Sequence, residues 1–370
     1  MCYTPGGSRL RQSGVHGPSM ESEVAVERKP RVVSPRGMAL SARMVCELAP
    51  HEVLLLVFAA LFSVVAVVAS ERVTHWPEVL IRMGIACAII VAMNLWASIV
   101  GTKGHAGRWP RRLRLLYLFP VIPIYFKTAE LISYPIHGHD FDSLLIAADR
   151  MIFGVNPTWW LAEHFPTWPV LTEYLMICYA LFYFLPMALA IELYLKGMGR
   201  RHHASEGNPA ALRQLDQLVF IIVYGFMLSY AGYCFMPAIG PRFTLHNFLD
   251  LSKDLPGLWL THPLRVLLDR GENILPGMAI PEILRRVTRD AFPSGHTDIT
   301  LLTMLLAFKF RARLRWPIAI LGSSLIFSTV YLRYHYVVDV LAGAVLAVFT
   351  LYTWEWVRKR MVVLQSKMIR

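Results

Sequence analysis

Beyond residue 50 the chain is built of long apolar runs separated by short polar breaks, rather than the 3.6- or 2-residue alternation of half-buried elements. Eight such segments run at approximately 52–70, 79–100, 113–136, 169–195, 216–236, 297–310, 316–334 and 336–356. Most approach the ~20 residues that carry a helix across the hydrocarbon core of a bilayer. The pattern therefore predicts an all-α, polytopic integral membrane helical bundle with about eight transmembrane helices. The sixth segment is short, and spans by extending backwards or by local thinning of the bilayer. The seventh and eighth run almost continuously through His335.

Three stretches break this pattern. Residues 1–50 are rich in Gly, Pro, Ser and Arg and predict a disordered cytoplasmic tail, with Met20 and Met38 as alternative starts. No apolar core follows the early arginines, so the first span reads as a signal anchor rather than a cleaved signal peptide. Residues 137–168 are too polar to cross, yet carry Leu144, Leu145, Ile146, Met151, Ile152, Phe153, Trp159 and Trp160. They predict an amphipathic helix at the interface, anchored by the Trp pair. Residues 256–290, interrupted by Pro256, Pro263, Pro276 and Pro281, predict a second surface segment. The domain plan is thus a tail over 1–50, a membrane domain over 51–357 and a basic cytoplasmic tail over 358–370.

Composition agrees: 55% of the residues are apolar and 17% charged, against ~25% charged in soluble domains. The net charge of +12 does not point to nucleic acid, because the basic residues lie in clusters between apolar runs. One set of breaks holds Lys103, Arg108, Arg111, Arg112 and Arg114, then Lys196, Arg200, Arg201 and Arg213, then Lys309, Arg311, Arg313 and Arg315. Arg358, Lys359, Arg360, Lys367 and Arg370 follow the last run. Eight spans put all of these, with both termini, on one side, which the positive-inside rule makes the cytoplasm. The opposite side receives Asp140, Asp142, Asp149, the loop 237–296 and His335. The run Arg200-Arg201-His202-His203 reads as a solvated loop near anionic lipid. Cys2, Cys46, Cys87, Cys178 and Cys234 show no paired spacing, so neither disulfides nor a cysteine metal site is expected, and no cofactor is implied.

Two stretches carry chemistry. In Pro293-Ser-Gly-His296, Ser294 reads as an N-cap, and the unpaired N–H groups of a helix start suit a phosphate. The same tetrapeptide also reads as an ordinary helix start with an interfacial histidine. In Tyr331-Leu-Arg-Tyr-His-Tyr-Val-Val-Asp339, Asp339 lies one helical turn beyond His335. A carboxylate on one ring nitrogen fixes the tautomer and leaves the other nitrogen as a nucleophile. An Asp early in an apolar span is costly without such a partner. Arg333 and Arg242, the latter in Gly240-Pro241-Arg242-Phe243, read as forks for phosphate oxygens; membrane-edge snorkelling is the plainer reading of Arg242.

The order Arg242, then Pro293-Ser-Gly-His296, then His335-x-x-x-Asp339 resembles the type-2 phosphatidic acid phosphatase superfamily, over roughly 216–345. The resemblance implies a helical membrane core and a metal-independent route through a phosphohistidine. It makes His335 the nucleophile, Asp339 its orienting carboxylate and His296 the general acid, with Arg242, Ser294 and Gly295 holding phosphate. This chain departs from the pattern: Phe235 stands where the family has a lysine ahead of the arginine, and Ser328-Thr329 where it has Ser-Arg. Within the superfamily, Gly-Pro-Arg-Phe and Tyr-Leu-Arg-Tyr-His-Tyr-Val-Val-Asp are similar to the branch of fungal inositol phosphorylceramide synthases, the aureobasidin targets, and their bacterial relatives. The stretch Ala148-Asp-Arg-Met-Ile-Phe-Gly-Val-Asn-Pro157 also resembles that branch. Lys127, with Glu130 three residues on, is a weak stand-in for the lysine and reads more simply as an ion pair.

The expectation is a plasma (inner) membrane enzyme that hydrolyses or transfers the phosphate of a lipid at the non-cytoplasmic face. The competing expectation is a transporter in which His335, Asp339 and Lys127 relay protons.

Overall fold

The computed structural model describes residues 3–4, 31–32, 48–101, 114–165, 167–198 and 208–368. Nearly all of the expected disordered tail, the cluster Lys103, Arg108, Arg111 and Arg112, and the run Arg200-Arg201-His202-His203 lie outside them. Apart from a two-residue antiparallel pairing of Tyr3–Thr4 with Arg31–Val32, every described element is helical. In chain order the helices of a turn and a half or more are α1 (Pro50–Val68), α2 (Trp76–Gly101), α3 (Leu118–His137), α4 (Asp142–Phe153) and α5 (Pro157–His164). Then come α6 (Pro169–Ala180), α7 (Phe184–Met198), α8 (Pro209–Phe235), α9 (Thr261–Gly271) and α10 (Ile280–Arg286). The last three are α11 (Gly295–Lys309), α12 (Arg315–Tyr331) and α13 (Val337–Met368).

Local chemistry explains the boundaries. Pro50, Pro157, Pro169 and Pro209 open their helices, where a missing N–H is harmless. Asn208 caps α8 by accepting from the N–H groups of Ala210 and Ala211. Gly138 and Gly154, both with positive φ, end α3 and α4 in the left-handed turn that suits glycine.

Among the described residues five helices are long and apolar enough to cross a membrane: α1, α2, α3, α8 and α13. The expected continuous span over 169–195 is instead a pair, α6 and α7, meeting at 56°. Helices α11 and α12, at 15 and 17 residues, fall short of the ~20 that a full crossing needs. By length and composition the described residues thus give five such spans, or six with the bent pair taken as one path, and the expected eight is not reached by that measure. The near-continuous apolar run through His335 also breaks. Arg333, at φ 67°, turns the chain, while the N–H groups of Tyr334 and His335 donate to the Thr329 carbonyl and close α12.

Helix α8 is the axis of the bundle, 72% buried along its apolar window against 28% for α13. It packs against α1, α3, α7, α11 and α13. Close approach to α11 depends on small residues: a Cβ on Gly343 of α13 would strike the Ser294 carbonyl, and one on Gly295 the hydroxyl of Tyr233 of α8. The C-terminal ends of α8 and α12 and the N-terminal ends of α11 and α13 meet at one end of the bundle. Helices α4, α5, α9 and α10 lie among these ends. The expected interfacial segment is α4 and α5, with Met151, Ile152, Phe153, Trp159 and Trp160 exposed and Leu145 buried.

Candidate active site

Two histidines face each other where α11 begins and α13 is about to begin. Ser294 caps α11, its Oγ accepting from the Thr297 N–H at 3.3 Å, and His296 follows in the first turn. The His296 ring lies between Tyr179, stacked at 4.5 Å, and Phe182 at 4.3 Å. Its Nδ1 is 3.4 Å from Nε2 of His335. On the far side of the buried His335 ring, Nδ1 is 2.8 Å from the carbonyl of Ala291 and 3.5 Å from Oδ2 of Asp339. A carbonyl only accepts, so Nδ1 carries the hydrogen and Nε2 keeps a lone pair aimed at the space shared with His296. The sequence expectation puts Asp339 on this nitrogen, and two acceptors in fact face it. The Ala291 carbonyl is the nearer partner, while Asp339, fully buried and also accepting from the Tyr336 N–H at 2.8 Å, sets its carboxyl group behind the ring.

The arginines are present, and each is already paired. Arg242, 1% exposed, donates through Nη1 to Asp269 at 3.0 Å and through Nη2 to Glu272. Its guanidinium lies over the rings of Tyr334 (4.5 Å) and Phe243 (4.6 Å). Tyr334 stacks on Tyr179 at 4.4 Å, and Tyr179 on His296, so one aromatic column joins the arginine to the histidine. Arg333 donates to Asp254 at 2.6 Å. Burial pushes Glu272 up to about 8 against the pull of Arg242, with Asp290 and Asp269 adding to the rise. His246 is pushed down to about 4 by burial and by Arg333. A guanidinium has five N–H donors, so both arginines keep hydrogens for another anion.

The segment expected to be plain surface thus reaches over the site. Glu173 of α6 holds it there, accepting from the backbone N–H groups of Leu258, Trp259, Leu260 and Thr261 and from the Thr261 hydroxyl at 2.5–3.1 Å. Ser294 is fully buried, donates its N–H to the Asp339 carbonyl at 3.0 Å and accepts from the Thr297 hydroxyl at 3.2 Å. It has its own hydroxyl hydrogen left to offer. Gly295 lies beneath the Tyr233 hydroxyl.

Sequence reasoning missed the part played by α4. Asp142 accepts from the N–H groups of Gly240 (2.9 Å) and Ile239 (3.0 Å), just ahead of Arg242, and from the Tyr336 hydroxyl (2.8 Å), just after His335. Asp149 accepts from the N–H groups of Val337 (3.1 Å) and Val338 (2.8 Å), capping α13. The signal was available: residues 142 and 149 lie two turns apart on one helix face. Phe235, in the family lysine's place, is 75% exposed. Lys127 pairs with Glu130 at 2.9 Å and also donates to the Gly271 carbonyl and Asn273. Among the described residues, no three His, Cys, Asp or Glu side chains converge on a point where one ion would sit.

An apolar helical bundle in which the buried His335 faces the half-buried His296, with two buried arginines at the same end, fits an integral membrane protein. A family model described as the PAP2 superfamily matches residues 143–353, more than half of the chain, and contains Arg242, Ser294, Gly295, His296, Arg333, His335 and Asp339. The chain belongs to the PAP2 superfamily. No curated protein and no solved structure gives a match.

Proposed function

We propose that the protein is a metal-independent lipid phosphate phosphatase or phosphotransferase that works through a phosphohistidine on His335. The observation that carries this reading is the pair of nitrogens 3.4 Å apart, Nε2 of His335 and Nδ1 of His296, with Nδ1 of His335 tied to the Ala291 carbonyl. The Nε2 lone pair attacks phosphorus and the P–O ester bond breaks. The leaving oxygen takes its proton from His296, in the protonated form that the negative charge of the bound phosphate stabilises. Arg242, Arg333 and the start of α11 offset the charge on the phosphoryl oxygens, and Asp339 with the Ala291 carbonyl steadies the ring as it becomes cationic. Water or an alcohol then gives a proton to His296 and attacks phosphorus, and the P–N bond breaks. Water makes the enzyme a phosphatase. An alcohol such as inositol makes it a transferase, the direction in which the resemblance to inositol phosphorylceramide synthases leans.

In the same reading α11 and α12 complete eight crossings as short spans, in a plasma (inner) membrane with the site on the non-cytoplasmic side. A proton relay through His335, Asp339 and Lys127 is disfavoured, because Lys127 bonds to Glu130, Gly271 and Asn273 rather than to the histidine or its aspartate.

The test is phosphate release from a panel of lipid phosphates by detergent-purified protein, with EDTA, with and without inositol, beside His335→Ala and His296→Ala. Release that survives EDTA and vanishes in both variants is expected. Formation of an inositol-containing lipid from a phospholipid donor assigns the transferase. Release that persists in His335→Ala rejects the phosphohistidine.

A further inference from the structure

Below the histidines, between α3, α7 and α8, lies a cavity of about 550 Å³. Phe119, Met187, Ala190 and Leu218 are typical of its wall, which is apolar almost throughout. Tyr183 and Phe226 form the end nearest the site; their rings stack at 6.1 Å, and both touch Phe182, at 4.7 and 5.9 Å. Phe182 in turn lies 4.3 Å from His296. A single aromatic ring therefore separates the cavity from the general acid. The break between α6 and α7 creates this arrangement, setting neighbouring side chains to face the site (Phe182) and the cavity (Tyr183). Along α8 the cavity runs from Phe226 back to Leu215, roughly 16 Å at ~1.5 Å per residue. That is about half of a ~30 Å hydrocarbon core.

We propose that this cavity holds the hydrocarbon chain of the lipid whose phosphate His335 attacks, so that chain length is read between α3, α7 and α8 while the headgroup is read at the histidines. The assignment rests on the lipid phosphate reading above. It commits to a substrate chain, rather than bulk lipid, because the cavity's end, at Tyr183 and Phe226, abuts the Phe182 ring that packs on His296. A chain lying there leaves its head beside the reacting nitrogens. Apart from Tyr183 and Tyr194 its lining side chains are all apolar, which suits hydrocarbon, and each methylene it buries adds to substrate affinity.

Full-length protein in phosphatidylcholine nanodiscs is photolabelled with a phosphatidic acid carrying a diazirine near the end of one chain, and the adducts are mapped by mass spectrometry. Adducts are expected on α7 and α8 between residues 183 and 226. Excess unlabelled phosphatidic acid is expected to remove them, and extra phosphatidylcholine to leave them. Ala190→Trp, or the milder Leu218→Phe, is expected to cut competed labelling and long-chain kcat/KM about tenfold, the contact of roughly two methylenes. Turnover of a short, soluble phosphate ester should hold in both variants. Adducts that resist competition, or that fall elsewhere, identify bulk lipid and overturn the proposal; so does an equal loss on short and long substrates. Labelling needs no turnover. A wild-type protein that labels as expected but neither releases phosphate from any ester nor transfers it to inositol therefore overturns the enzymatic reading and leaves the chain site standing.

Discussion

Nδ1 of His335 faces both the Ala291 carbonyl, at 2.8 Å, and Asp339, at 3.5 Å. In a serine protease triad, where the carboxylate alone holds the tautomer, converting it to an amide costs about 10⁴ in kcat. Here the carbonyl keeps the hydrogen on Nδ1 whatever stands at position 339. Asp339→Asn should therefore lose only the charge behind the ring, and kcat should fall roughly 10- to 100-fold, ~1.4–2.7 kcal/mol of transition-state stabilisation. A loss near 10⁴ would return the tautomer to Asp339. Glu272 supports a second prediction. Folded, it keeps its proton to about pH 8, while unfolded it releases it near the ordinary 4.5. Between those values the folded state binds the extra proton, so this group's contribution to stability falls as pH rises through the window and is level outside it. Glu272→Gln should flatten that slope in pH-dependent unfolding. The same titration acts on the site: once ionised, Glu272 competes with phosphate for Arg242. KM for a lipid phosphate should rise above about pH 8 in the native protein and stay level in Glu272→Gln.

Helix α4 shows how an element outside the reacting set can govern it. Through Asp142 it holds the backbone ahead of Arg242 and the Tyr336 side chain, and through Asp149 it caps α13. Losing a cap of this kind costs about 0.5–2 kcal/mol. If the cap also sets where His335 lies, Asp149→Ala should lower kcat about tenfold with KM nearly unchanged, and Asp149→Asn, which keeps one acceptor, should recover part of it. Kinetics and thermal unfolding of the two variants, measured side by side, decide the matter: a lower melting point with native kcat makes α4 a purely structural brace. The helix also shows what the sequence could and could not reveal. His296, His335 and Asp339 were legible because polar residues inside apolar runs are conspicuous. The Ala291 carbonyl was not, since every residue carries one. Asp269 and Glu272 carry no such mark in their polar segment, because their pairing with Arg242 exists only through space. Hydropathy carried the seventh run past Tyr331, blind to the left-handed turn at Arg333 that ends α12. It also ran α6 into α7, because the residues at their 56° break are themselves apolar.

At the scale of the whole molecule, the path of the chain sorts charge. The site occupies the end where α8 and α12 finish and α11 and α13 start. Lys196, Arg213, Lys309, Arg313, Arg315 and Lys359 fall at or near the opposite helix ends. In the proposed reading such basic clusters stay in the cytoplasm, and His335 with the acidic segment above it belongs to the other face. Lys253, beside the site, and Lys359, at the far end of α13, are both exposed and suit a direct measurement. With the native cysteines replaced by serine, Lys253→Cys and Lys359→Cys are treated in intact cells with a membrane-impermeant maleimide, before and after permeabilisation. Lys253→Cys should label at once, and Lys359→Cys only after the membrane is opened. The reverse pattern would put the histidines in the cytoplasm, and the lipid phosphate would then have to be drawn from the inner leaflet. Labelling of both sites from outside would mean that α13 does not cross, removing the support on which Asp339 stands behind His335. The expected result instead ties the chemistry to lipid headgroups on the outer face, with the tail cavity running from the histidines back towards the cytoplasmic side.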